Sequence, residues 1–215
     1  FLWYKVLTDN DIVPENDEIV EDPWGKRGVG ESGLWNRIFD VEETFLFTCP
    51  ANTKYNQLVL NKCRQQLPDY DGLFLDFFGY PLATLGFEAL FTCFCPTCLK
   101  SDSRVAGWRS KIQELREVLV SSTDSDLRKW GTFDNAADVF GLREWIVFRT
   151  ALITKLAARY ADLARAMNKP IGADVLAPAL AGWAGHDYDA LGKLVDWIKP
   201  RIYCHTQGPS SIPLE

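Results

Sequence analysis

Twice in this chain a strand pattern, an amphipathic helix and a second strand pattern follow one another, at residues 44–77 and 171–205. Strands joined in this way pair in parallel, because the helical crossover returns the chain to the same end of the sheet. The clearest strand is 73–77, LFLDF. It is apolar except for Asp76, as expected of a strand covered on both faces. Further strand patterns lie at 2–7, 44–48, 171–176 and 201–205. A helix is expected over 52–67, where Tyr55, Leu58, Val59 and Leu67 share a face and Pro68 marks the end. Trp108, Ile112, Leu115 and Leu119 stripe a second helix. Trp145, Phe148, Leu152, Leu156 and Leu163 stripe a longer one, reaching Met167. Leu191, Leu194, Val195 and Ile198 mark a last helix that stops before Pro200.

This order predicts an α/β fold of the (β/α)8 TIM-barrel type. Only five strands are evident, and a closed barrel usually takes about 250 residues. The chain therefore reads as an incomplete or excerpted barrel, one partial domain over 1–215. The segment 78–170 is too long for a single crossover, so an insertion that contains cysteines is expected at about 79–135. Residues 9–33, rich in acidic residues, Gly and Pro, read as a long loop.

Hydrophobic residues make up 47% of the chain and charged residues 24%, the ordinary balance of a globular domain with its own core. A net charge of −6 argues against a nucleic-acid or anionic-membrane surface, which needs concentrated Lys and Arg. No apolar run approaches the roughly 20 residues that span a bilayer. No leader pattern is visible either, but the chain begins at Phe1, so a removed leader stays open and localisation is unassigned.

The first site candidate is Asp76. A carboxylate near the C-terminal end of a parallel strand projects where catalytic groups of such folds gather. Glycoside cleavage uses two carboxylates, one to protonate the leaving oxygen and one to attack or to activate water. Asp174, in the strand 171–176, is the candidate for the second, the other option being a group outside this chain. The plainer reading of Asp76 is that it caps a loop or holds an Arg in place. In the loop GWAGHDYDAL after that strand, His186 and Asp187 are candidates to bind sugar hydroxyls, and Trp183 to stack on a sugar ring. Asp187 equally suits a helix N-cap. Tyr203 and His205 alternate in the last strand pattern and so share a face at its end. Trp24 and Trp35, beside Gly-rich loops, are weaker stacking candidates.

Cys93, Cys95 and Cys98 fall within six residues, a metal-ligand or disulfide spacing. Tetrahedral zinc takes four ligands, and Cys49, at the end of the strand pattern 44–48, is the best fourth. Such a site has no open position and would be structural. One disulfide with unpaired thiols is the competing reading. Cys63 and Cys204 read as core cysteines.

Several runs resemble a known group, the glycoside-hydrolase-like barrel proteins. These are CPANTKY at 49–55, YDGLFLDFFGYP at 70–81, WIVFR at 145–149 and GHDYDALGKLVDWIKPRIY at 185–203. Gly185, Asp187, Asp196, Pro200 and Tyr203 sit on the group's late motif. The order of Cys49, Cys93, Cys95 and Cys98 is similar to the structural zinc site of family 42 β-galactosidases. The resemblance implies a barrel, a zinc loop and Asp76 as the site carboxylate. Two departures stand against carrying over more. Gly79 occupies the place of the group's usual Arg. Phe77 and Phe78 occupy the places of the Asn-Glu pair whose Glu is the acid/base in family 42, so a β-galactosidase activity does not carry over.

The expected function is a glycoside hydrolase acting on a carbohydrate through Asp76 and a second carboxylate. The alternative is a catalytically silent carbohydrate-binding or scaffold domain, which the loss of polar groups beside Asp76 favours. A metal-dependent hydrolase built on the cysteines is disfavoured, since catalytic zinc keeps an open position and the chain has only two histidines.

Overall fold

The computed structural model describes residues 1–8, 11–28, 46–82, 85, 87–121, 138 and 141–202. At its centre is one sheet of four parallel strands, in spatial order β1 (Leu2–Lys5), β2 (Leu73–Asp76), β3 (Ile171–Leu176) and β4 (Trp197–Arg201). Around it lie α1 (Thr53–Gln66), α2 (Phe87–Leu90), α3 (Pro96–Ser101), α4 (Val105–Ser121), α5 (Arg143–Ala166), α6 (Pro178–Ala181) and α7 (Tyr188–Leu191).

The parallel α/β organisation is as expected, and the (β/α)8 barrel is not. Four strands among the described residues are too few to close a barrel, and β1 and β4 stand at the two edges of the sheet. Two strand patterns account for the difference. Of 44–48, residues 44 and 45 lie outside the described residues, and Thr48 makes a single antiparallel bridge to Ile19. Phe47 and Thr48 are buried and bond the backbone at Val20 and Leu7, but among the described residues these single bonds do not extend into a ladder. The last strand is Trp197–Arg201 rather than 201–205, of which 203–205 lie outside the described residues. The helical pattern at 191–198 is divided: Leu191 ends α7 and Ile198 belongs to β4, and both pack on the core. Pro200 is tolerated in β4 because an edge strand need not donate on both sides.

Strand alternation gives the sheet two unlike faces. Leu2, Tyr4, Leu73, Leu75, Ile171, Ala173 and Val175 are buried. On this side the Tyr4 hydroxyl donates to the Val59 carbonyl of α1 at 2.7 Å, and its ring lies 6.1 Å from Tyr160 of α5. The opposite face carries an aromatic row. Trp3 meets Phe74 edge-on at 4.9 Å, and Phe74 stacks on Trp197 at 6.5 Å. Trp197 reaches Phe74 across Gly172, where a Cβ would lie 2.1 Å from the indole. One step further along the same strands the row becomes charged, with Lys5, Asp76, Asp174, Lys199 and Arg201.

Asn52 caps α1 by accepting from the Tyr55 N–H at 3.1 Å, which fixes how the chain enters the helix directly after Cys49. Among the described residues no helix is long and apolar enough to cross a membrane.

Candidate active site and metal centre

Asp76 is the last residue of β2 and is buried. Its Oδ2 accepts from Trp3 Nε1 at 2.7 Å, and its Oδ1 accepts from the Phe77 N–H at 2.8 Å and from Arg201. Phe77 has φ +47, a left-handed conformation that a bulky residue rarely adopts. That turn at the strand end brings the Phe77 N–H back onto the carboxylate. Strain of this kind concentrates at functional sites.

Asp174 lies on the neighbouring strand, and its environment differs. Its Oδ2 accepts from Arg201 Nε at 2.7 Å. Its Oδ1 faces Lys199 Nζ at 3.5 Å and has no hydrogen bond among the described residues. Burial raises the Asp174 pKa, with Arg201 opposing it. One guanidinium therefore joins the two carboxylates proposed from the sequence. Arg201 itself was missed. The signal was there: two carboxylates on adjacent buried strands require a nearby cation, and Lys199 and Arg201 alternate along β4.

Beside this cluster a small cleft of about 50 Å³ is lined by Phe47, Phe77, Tyr80, Asp174, His186 and Arg201 among others. It opens past the C-terminal ends of the strands, where open parallel sheets bind ligands. His186 is buried, and its Nδ1 accepts from the Leu176 N–H at 3.2 Å. The proton of the neutral ring therefore sits on Nε2, which has no hydrogen-bond partner among the described residues. Burial, with Arg201 adding to it, holds the His186 pKa down to about 3. Gly79 packs directly on this ring. A Cβ there would lie 2.6 Å from His186 Nε2 and 2.9 Å from the Ala184 carbonyl, so the pocket has no room for the Arg of the resembling group.

The other candidates are placed as follows. Asp187 caps α7, accepting from the Ala190 N–H at 3.0 Å. Trp183 is buried among Phe91 and Trp145, at 6.2 and 6.4 Å. Trp24 is covered by the Arg116 guanidinium. Trp35, Tyr203, Cys204 and His205 lie outside the described residues.

The cysteine cluster assembles as expected. The Sγ atoms of Cys49, Cys93, Cys95 and Cys98 all lie within 4.8 Å of one another, and all four residues are buried. A tetrahedron with metal–sulfur bonds of 2.3 Å has edges of about 3.8 Å, so the four thiols fit a metal ion with little adjustment. None of them is in a disulfide. Cys49 enters from the loop between Thr48 and α1, fixed by its N–H on the Glu18 carbonyl at 2.8 Å. The Cys95 N–H points at Cys93 Sγ at 3.5 Å, and Cys98 sits in the first turn of α3, which Pro96 opens. Donation from Cys49, Cys93 and Cys98 pulls the Cys95 thiol pKa down, while the protons shared with their neighbours, and then burial, push Cys49 and Cys98 up. Cys63 stands apart in α1, and burial raises its thiol to about 12.

Searches against family models, curated proteins and solved structures find nothing that matches this chain.

Proposed function

We propose that this chain is a carbohydrate-acting domain of the glycoside-hydrolase type. The observation that carries the reading is the unequal pair Asp76 and Asp174, side by side at the ends of parallel strands and bridged by Arg201. Glycoside cleavage needs one carboxyl that keeps its proton and one that does not. Asp174, with burial raising its pKa and one oxygen not hydrogen-bonded, is the proton donor. Asp76, accepting three hydrogen bonds, is the carboxylate that stabilises developing positive charge. Arg201 is the donor for sugar hydroxyls, and Phe77 and Tyr80 form an apolar wall backed by the His186 ring.

A second reading is a site that binds a carbohydrate without cleaving it. Arg201 favours it, because a cation that holds both carboxylates competes with their chemistry.

Zinc is the metal we assign to the cysteine cluster. Four thiolates saturate a tetrahedral ion, so its role is to staple the loop 93–98 to the entry of α1.

The test is hydrolysis of an aryl-glycoside and oligosaccharide panel by the purified protein and by Asp76→Asn and Asp174→Asn, with sugar binding followed by NMR. Turnover that falls at least a hundredfold in both variants supports the hydrolase. Saturable binding without turnover supports the second reading. Neither binding nor turnover overturns both.

A further inference from the structure

Arg149 lies in the middle of α5, fully buried, and none of its three side-chain nitrogens has a hydrogen-bond partner among the described residues. Its guanidinium is sandwiched between two rings, 4.1 Å from the Tyr80 centroid and 4.2 Å from that of Trp145. Among the described residues no carboxylate pairs with it. Ring faces attract a cation, but they do not replace the hydration that a buried guanidinium loses. Such a residue is stable in a core only where negative charge lies close by.

The cysteine loop packs on one of the same rings: Phe94, between Cys93 and Cys95, stacks on Trp145 at 6.2 Å. Burial lowers the Arg149 pKa to about 10, and Tyr80 first, then Cys93 and Cys98, act electrostatically to hold its charge. Four neutral thiols would supply no charge. Four thiolates around one divalent ion would leave a net charge of two minus, in a buried cluster whose loop packs on Trp145. We propose that Arg149 is the built-in counter-charge of a divalent metal tetrathiolate formed by Cys49, Cys93, Cys95 and Cys98. The inference rests on the metal reading above and assigns the charge state of the centre. Arg149 is a positioning residue: it touches no substrate. Through Tyr80, whose ring it stacks on and which also lines the cleft, it links the metal centre to the candidate active site.

The experiment measures metal content and chelator-competition affinity for Zn(II) and Co(II) in the full chain, in Arg149→Met and in Arg149→Lys. Urea stability of each is measured with metal and after its removal. Arg149→Met is expected to weaken the metal 10- to 100-fold, the usual effect of losing a group that supports metal ligands. Arg149→Lys, which keeps the charge, should stay within several-fold of the parent. Once the metal is removed the order of stability should invert, with Arg149→Met at least as stable as the parent, because the buried cation then has no anion. Unchanged affinity in Arg149→Met, or equal destabilisation with and without metal, would mean that Arg149 only packs. Should Arg149→Met not accumulate folded, the lysine variant decides: a tenfold or larger loss of affinity there overturns the counter-charge role. A parent chain that binds neither Zn(II) nor Co(II) removes the metal reading itself, a result distinct from all of these.

Discussion

Arg201 Nε lies 2.7 Å from Asp174 Oδ2, and the same guanidinium bonds the Asp76 carboxylate one strand further in. The pair spans β4 and β3, so this cation also ties the edge strand to the centre of the sheet. Removing it strands two buried carboxylates. Arg201→Met is expected to cost about 3–5 kcal/mol at neutral pH, and less at pH 4, since burial already raises the Asp174 pKa and a proton there removes one stranded charge. Urea unfolding at both pH values checks this. A loss below about 1 kcal/mol at pH 7 would show that the clamp is not structural.

His186 sets an acid limit on stability. Its folded pKa, about 3, lies below the ordinary imidazole value of about 6.5, so the unfolded chain takes up the proton first as the pH falls. The contribution of the neutral ring is complete above about pH 6.5 and is lost as the pH falls toward 3, by up to roughly 5 kcal/mol. His186→Gln, whose amide oxygen can still accept from the Leu176 N–H, should flatten the stability profile over that range. Urea midpoints between pH 4 and 7 measure the slope. Equal slopes in the two proteins would mean that His186 titrates normally.

Gly172 is a position of pure steric necessity. An added methyl would lie 2.1–2.5 Å from three atoms of the Trp197 indole, which must then leave its stack on Phe74. Gly172→Ala should cost about 1–3 kcal/mol, the usual range for overpacking. Trp197→Leu placed in the Gly172→Ala background should recover part of that loss. Chemical denaturation of the two variants checks the pairing, and no recovery would show that the strain lies elsewhere.

Metal removal should unfold the loop between α2 and α3 before the sheet. Dialysis against a strong chelator is expected to cost about 3 kcal/mol, roughly 6–12 °C in Tm for a chain of this size. Cys98→Ala should empty the site, whereas Cys63→Ala should leave metal content unchanged, because Cys63 lies outside the cluster. Elemental analysis of the two variants separates ligand from core cysteine. Metal loss in Cys63→Ala would contradict the assignment.

The sequence alone determined the parallel α/β character, because apolar runs and helical stripes in alternation leave no other way to bury both. It placed β2, β3, α1 and α5 within a few residues, since each has a strong period and a proline or a capping residue at an end. It also named the four cysteines, and both Asp76 and Asp174, because thiols at close spacing and carboxylates in apolar strands are costly to bury without a partner. What it did not decide was closure and pairing. Phe47 and Thr48 looked like a strand because they are buried, and burial does not say whether single backbone bonds, here to Val20 and Leu7, extend into a ladder. The Leu191 to Ile198 stripe looked like one helix because a helix and an edge strand happened to face the same core. Asp187 and Trp183 have side chains fit for a sugar site, yet tertiary packing gave them to a helix cap and to an aromatic core. Arg201 between the two carboxylates and Arg149 against the rings of Tyr80 and Trp145 are the reverse case. They are ordinary cations in the sequence, and only the folded chain, by removing water around them, makes their neighbours matter.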